Sequence, residues 1–237
     1  MSIVPWLGPD DPFPPVEQAL REPNGLVAVG GALSPARLLD AYRRGIFPWP
    51  EDDDSPMLWW SPDPRLVLVP DELRISRSLR KRLRAGTFQV TFDAAPEAVL
   101  DGCAGPRADE GGTWITGEIR EAYLALHAAG HMHSAEAWRD GRLAGGLYGV
   151  SIGRMFFGES MFARETDASK VAFAWLVRHL ARWGVDLIDC QVRTAHLVSL
   201  GAREVPRGWF LERVAERVAA PAPPVPWRPD PSLAGSF

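Results

Sequence analysis

Residues 135–192 read AEAWRDGRLAGGLYGVSIGRMFFGESMFARETDASKVAFAWLVRHLARWGVDLIDCQV, and their pattern decides the fold class. Residues 135–139, 143–152 and 155–162 are runs rich in apolar, aromatic and small side chains, broken by Asp140-Gly141 and by Gly153. Those breaks are turn signals of the kind that join antiparallel strands. Residues 168–183 change period: their apolar side chains recur at helical spacing, with no internal Gly or Pro. Residues 185–192 return to a short apolar run of the kind found in strands buried on both faces. Hairpins followed by a helix and a further strand predict an α/β body built on a mixed sheet.

Upstream, residues 66–69 and 88–92 read as strands, and 76–85, 96–103 and 117–129 as helices. Ser34-Pro35 is an N-cap followed by Pro at the first helical position, predicting a helix to about Arg44 that Gly45 ends. Eleven of the 22 prolines fall within residues 1–62 and seven at or after Pro206, so long regular elements are expected mainly between these zones. The pattern divides the chain into a small Pro- and Trp-rich N-terminal domain, 1–62, and a catalytic-sized body, 63–237. Residues 61–64 form the expected hinge, and a Pro-rich tail at 220–231 is expected to run extended over the surface.

With 46% hydrophobic and 24% charged residues among 237, the chain has the composition of a folded domain and not of a disordered one. No apolar run approaches the roughly 18–20 residues of a membrane helix. Met1–Trp6 lacks the basic start of a secretory signal, and Cys103 and Cys190 cannot build a disulfide framework, so a cytoplasmic address is expected. Net charge is −4, which as an average argues against a nucleic-acid partner. The average conceals a polarised molecule: residues 74–84 carry +6, and everything else −10.

That basic run holds Arg74, Arg77, Arg80, Lys81, Arg82 and Arg84 with no acid among them. At about 100° per residue, all but Arg82 fall in one sector roughly 120° wide, with Ile75, Leu79 and Leu83 in another. Same-sign clustering weakens an isolated helix, so the stripe is either a solvated face or a phosphate-binding surface. Ten tryptophans invite a similar choice. Trp49 lies beside prolines and Trp114 follows Gly111-Gly112-Thr113; such rings either fill a core or stack on bases. In LIDCQV, 187–192, strand alternation places Asp189 and Gln191 on one face and Ile188, Cys190 and Val192 on the other. A carboxylate in an apolar strand needs partners, so Asp189 is either a structural group or part of a site. In FFGESMF, 156–162, Glu159 sits among residues that suit a core or an apolar pocket, and Gly158 is a candidate bulge. His127, His131 and His133 are interrupted by Gly130, and no metal site is expected. No Walker A loop occurs, and the glycines of RLAGGL, 142–147, fall inside an expected strand instead of before a helix, unlike the pyrophosphate loop of acetyltransferases.

In this order, REPNGL (21–26), GIFPW (45–49), LWWSPDPR (58–65), GTWI (112–115), GESMF (158–162) and LIDCQV (187–192) resemble the bacterial leucyl/phenylalanyl-tRNA–protein transferases. The resemblance runs from residue 21 to about Pro206, and no single motif carries it. It implies a small N-terminal domain and a body similar to the GNAT acyltransferases. It also implies transfer of Leu or Phe from aminoacyl-tRNA to proteins beginning with Arg or Lys, marking them for N-degron degradation. By the same resemblance Trp49 and Trp114 stack on the terminal adenosine, and Leu147, Phe156, Glu159, Met161, Phe173, Leu176 and Ile188 form or adjoin the aminoacyl pocket. Asp189 and Gln191 match the catalytic pair, and Arg74, Arg77, Arg80, Lys81 and Arg84 the tRNA-binding patch. No cofactor and no metal are implied; a monomer is expected, with the oligomeric state left open by the sequence. Leu147 stands where the family often has Met, and Phe173 and Leu176 where a relative has Leu and Phe exchanged, which leaves the ranking of Leu, Phe and Met as donors open. Two other readings remain at this point: a CoA-dependent GNAT acetyltransferase, and a tRNA-binding module without catalysis.

Overall fold

The computed structural model describes residues 4–52, 54–105 and 114–237. Gly111, Gly112 and Thr113, the glycine loop expected before Trp114, lie outside the described residues, as does the start Met1–Ile3.

A small sheet comes first, from β1 (Trp6–Leu7), β2 (Leu26–Gly30), β3 (Phe47–Pro48) and β4 (Leu58–Trp60), in the order β1-β2-β4-β3. These strands are too short and proline-rich for periodicity to reveal. Between them runs α1 (Pro35–Arg43), opened as expected by Ser34, whose hydroxyl accepts from the Arg37 amide at 3.2 Å, and ended at Gly45 with φ +69°. The segment expected as a hinge is held on both sides. The Ser61 amide donates to the Gly25 carbonyl at 2.7 Å, and the Asn24 side chain bonds Asp63 through both its amide groups. Gly25 is required there, since a Cβ would fall 2.4 Å from Pro62 Cα.

The body follows as β5 (Arg65–Leu68), α2 (Arg77–Arg84), β6 (Gln89–Phe92), α3 (Pro96–Ala104), α4 (Gly117–Ala128), β7 (Met132–Arg139), β8 (Arg142–Ile152) and β9 (Met155–Ala163). Then come α5 (Ala168–Arg182), β10 (Leu187–Gln191), α6 (Ala195–Ser199), β11 (Arg203–Val205) and α7 (Arg207–Val218). Seven strands form one mixed sheet, β11-β5-β10-β9-β8-β7-β6, in which only β9 and β10 pair in parallel. The chain is therefore a mixed α/β protein. Strand alternation divides the core in two. Leu66, Leu68, Leu147, Phe156 and Ile188 face the side covered by α5 and α2, whereas Val67, Tyr148, Phe157 and Leu187 face α1, α4 and α7. Gly145 and Gly146 let helices approach opposite faces of β8, one against Ala168 of α5 and the other against Val99 of α3.

The tail differs from expectation. Trp227 and Phe237 are buried, the Trp227 ring stacks on His133 at 3.7 Å, and the Asp230 amide donates to His179 Nε2 at 2.7 Å. Isolated aromatics such as Trp227 and Phe237, which pin the tail to the body, give no periodic signal. Among the described residues no helix is long and apolar enough to cross a membrane.

Candidate active site

β9 and β10 pair only through Leu187–Met155, Ile188–Phe156 and Asp189–Phe157, although β9 continues to Ala163 and β10 to Gln191. The sheet splits at that point, and a bulge lies on each strand beside the split. Opposite β8, pairing passes from Tyr148–Ser160 to Gly149–Gly158, which leaves Glu159 as the extra residue. Opposite β5 it passes from Asp189–Val67 to Gln191–Leu66, which leaves Cys190 as the extra residue. Bulges re-aim side chains. Gly149 admits the first, because a Cβ there would lie 2.3 Å from the Phe157 carbonyl oxygen. At the second, Gln191 takes a left-handed backbone with φ +60°, so simple strand alternation does not describe how Asp189 and Gln191 are related.

A cavity of about 630 Å³ opens at the split. Its apolar wall includes Leu147, Met161, Phe173 and Ile188, and Trp49 and Trp114 line it as well, with Trp49 41% exposed. Glu159, Asp189 and Gln191 contribute polar groups to it, as do Ser160, Thr194 and His196. Phe156 and Leu176 do not line this cavity; they are buried in the core cluster that also holds Leu147, Phe173 and Ile188. The basic residues lie elsewhere. Ser76 caps α2, so Arg74 precedes the helix and is not placed by its period. Arg77, Arg80 and Lys81 are exposed, Arg84 is exposed while donating to the Phe237 carbonyl at 2.8 Å, and Arg82 turns aside to pair with Asp167 at 2.9 Å. His127 and His133 are occupied by the Met132 carbonyl and Asp93.

The carboxylates of the site differ sharply. Asp189 is fully buried and forms a two-pronged ion pair with Arg65, whose Nε donates to Oδ1 at 2.8 Å and Nη2 to Oδ2 at 2.6 Å. Oδ1 also accepts the Gln191 backbone amide at 2.9 Å. The Arg65 guanidinium lies between the rings of Phe47 and Phe210, 4.7 Å from each centroid, so N-terminal domain and α7 together enclose the pair. Glu159 accepts from the Tyr42 hydroxyl at 2.8 Å, the Tyr123 hydroxyl at 2.9 Å and Gln191 Nε2 at 2.7 Å. Burial outweighs these bonds and pushes its carboxyl up to about 8. Burial first, then Asp189, pushes the Cys190 thiol far above its ordinary value, which disfavours the thiolate. His196, which also lines the cavity, is held below its usual value by burial and by Lys170.

Two family models match the chain: leucyl/phenylalanyl-tRNA protein transferase over residues 67–215, and the N-terminal domain of the same proteins over 31–63. The chain belongs to the leucyl/phenylalanyl-tRNA–protein transferase family. A leucyl/phenylalanyl-tRNA–protein transferase of Aromatoleum aromaticum is 61% identical over 213 residues, covering 90% of each chain. One from Nitrosospira multiformis is 58% identical, covering 91% of this chain and 93% of the relative. One from Chromobacterium violaceum is 56% identical, covering 95% and 96%. The protein is accordingly an aminoacyltransferase with aminoacyl-tRNA and protein as its substrates. Similar solved structures include L-PGS from Bacillus licheniformis, with TM-score 0.37, 11% identity and coverage of 68% and 51% of the two chains. A GCN5-related N-acetyltransferase-like protein from Streptococcus suis has TM-score 0.33, 12% identity and coverage of 72% and 64%. At these scores the sheet topology, not the likeness, defines the fold.

Arg65, Tyr42, Tyr123 and His196 escaped the sequence reading. Arg65 closes the LWWSPDPR motif but showed no partner, and no motif in the sequence singled out Tyr42, Tyr123 or His196. The signal available was chemical: a Tyr in a core needs a partner for its hydroxyl.

Proposed function

We propose that this transferase moves Leu or Phe from tRNA to the α-amino group of proteins beginning with Arg or Lys, and so marks them for N-degron degradation. In this reading Trp49 and Trp114 stack on the terminal adenosine, the wall of Leu147, Met161, Phe173 and Ile188 receives the aminoacyl side chain, and the exposed face of α2 meets tRNA phosphates. A wall of aliphatic, thioether and aromatic side chains accepts an uncharged apolar side chain, which suits the two donors.

The observation that carries the reading is the orientation of Gln191. Its amide nitrogen donates to Glu159 at 2.7 Å, which leaves its carbonyl oxygen, bonded to none of the described residues, to accept from an attacking amine. The acceptor's neutral α-amine attacks the ester carbonyl; the new N–C bond forms, the C–O bond to the ribose breaks, and the amine proton passes to the leaving ribose oxygen through the neighbouring 2′-hydroxyl or water. The ester is already activated, and an α-amine titrating near 8 is partly neutral at physiological pH. Gln191 orients the amine and stabilises charge developing on nitrogen. Asp189 acts through Gln191, since both its oxygens are engaged by Arg65 and by the Gln191 amide.

The experiment is transfer of labelled Phe from Phe-tRNA to peptides beginning with Arg, Lys or Ala. Transfer to the first two and not the third is expected. Gln191→Ala is expected to lower kcat by roughly 10²-fold, within the range of a lost transition-state group; a folded variant with unchanged kcat would sink the assignment. Acetyl transfer from acetyl-CoA to the same peptides would favour the acetyltransferase reading instead.

A further inference from the structure

Tyr42 on α1, Tyr123 on α4 and Glu159 on the bulge of β9 meet in three oxygen–oxygen contacts. Tyr42 reaches Glu159 Oε1 at 2.8 Å, Tyr123 reaches Oε2 at 2.9 Å, and the two tyrosine hydroxyls also contact each other. Each hydroxyl carries one proton. With Glu159 ionised, two protons must serve three contacts, and one pair of oxygens faces each other with nothing between. With Glu159 protonated, three protons serve three contacts. The carboxyl donates to one tyrosine, that tyrosine donates to the other, and the second donates back to the remaining carboxyl oxygen.

We infer that Tyr42, Tyr123 and Glu159 form a closed hydrogen-bonded ring in which Glu159 is a neutral carboxylic acid, and that this ring is a positioning device for Gln191. The inference rests on the role of Gln191 proposed above. Because the ring consumes the carboxyl proton, Glu159 offers Gln191 only a lone pair. The Gln191 carboxamide must then present its NH₂ to Glu159 and its oxygen to the amine. An acid whose proton was not so engaged could donate to Gln191 and turn its amide round, placing a donor where the attacking amine needs an acceptor.

The surroundings agree. Glu159 and both tyrosines are enclosed, burial disfavours charge on all three, and both hydroxyls are pushed well above the ordinary tyrosine value. The charged groups acting on Glu159 are Asp189, which opposes its ionisation, and Arg65, which favours it. They are paired with each other, so their effects largely cancel. Tyr148 on β8 adds a third titratable group beside the two tyrosines. The ring also joins the two domains, since Tyr42 belongs to the N-terminal one.

Two measurements test the two halves separately. Carboxyl-carbon NMR of protein labelled at Glu, with the resonance assigned by its loss in Glu159→Gln, is expected to show Glu159 protonated at pH 7 and titrating near 8. A carboxylate shift at pH 7 would overturn the neutral-acid assignment, whether or not the protein transfers amino acids. For positioning, Glu159→Gln can rebuild the ring: its NH₂ donates to Tyr123, Tyr123 to Tyr42, and Tyr42 to its carbonyl. It is expected to keep at least about tenfold more kcat than Glu159→Ala. Tyr42→Phe and Tyr123→Phe, which each remove one proton from the ring, are expected to lower kcat about three- to tenfold at unchanged donor affinity. Equal losses in folded Glu159→Gln and Glu159→Ala would refute the ring, as would unchanged kcat in both tyrosine variants.

Discussion

Replacing Asp189 by Ala distinguishes a residue that touches the reacting amine from one that holds the site in shape. Asp189 is wholly buried and takes three hydrogen bonds, two from Arg65 and one from the Gln191 amide. Removing it leaves the Arg65 guanidinium buried without a counter-charge. Its Nη1 has no hydrogen-bond partner among the described residues, so it has little with which to compensate. Breaking a buried ion pair from one side costs about 3–5 kcal/mol. That is a large share of the roughly 5–15 kcal/mol that stabilises a domain. For a chain of this size 1 kcal/mol corresponds to about 2–4 °C, so a fall in Tm of roughly 6–20 °C is expected.

The assay is thermal and urea unfolding of Asp189→Ala and Asp189→Asn beside single-turnover transfer from Phe-tRNA. Asn keeps the volume and the bond from the Gln191 amide while removing the charge, and is expected to fall between wild type and Ala. The double replacement Arg65→Met with Asp189→Leu removes both charges and is expected to recover much of the lost stability. It is not expected to recover transfer, because the Gln191 amide still lacks the acceptor that supports its left-handed backbone. A folded Asp189→Ala protein with Tm within about 2 °C of wild type and kcat down a hundredfold would refute this reasoning. Asp189 would then act on the amine directly.

Glu159 makes stability depend on pH. Its folded value, about 8, lies above the unfolded one, so the folded state binds the extra proton. The contribution is complete below about pH 4.5 and is lost as pH rises through about 8, so the stability of wild type relative to Glu159→Gln is expected to fall by a few kcal/mol across that window. Taking the difference from the variant removes the opposite trend of His179 and His196, both held below their usual values by burial. Trp49→Ala and Trp114→Ala are each expected to weaken Phe-tRNA binding by about 5- to 150-fold, the equivalent of roughly 1–3 kcal/mol for one lost stack; leaving the aminoacyl-adenosine affinity unchanged would remove them from the adenosine site. Replacing Arg77, Arg80, Lys81 and Arg84 by Ala is expected to reduce the slope of log affinity against log salt by up to about 3, and an unaltered slope would place α2 outside the tRNA interface.

What the sequence made legible follows from range. The capped helix α1, the long apolar helix α5 and the hairpins of β7 to β9 are written in local periods and turn residues, and their limits fall within about three residues of the expected ones. The small sheet, by contrast, consists of strands of two to five residues held by pairing partners up to about 35 positions away, and no period can announce it. The site divides the same way. The cavity-lining residues Leu147, Phe173 and Ile188 are apolar residues in regular elements, while Glu159 and Gln191, proposed to orient the chemistry, depend on two bulges. At one of them alternation fails outright, because Cys190 is extra and Gln191 is left-handed. Gly158 signalled a bulge, but not that Glu159 would be its unpaired residue, since that depends on Gly149 on the neighbouring strand. Partners such as Arg65 for Asp189, 124 positions apart, follow only from topology. Yet the sequence did carry a constraint that structure alone does not explain: Asp189, Glu159 and Gln191 stand in strands whose other residues are mostly apolar. A fold that needed only stability would replace them with apolar residues at little cost or some gain. Their presence together where β9 and β10 part fits the proposed acyl transfer, because an amine can be oriented and its charge stabilised only where the surrounding dipoles are already fixed.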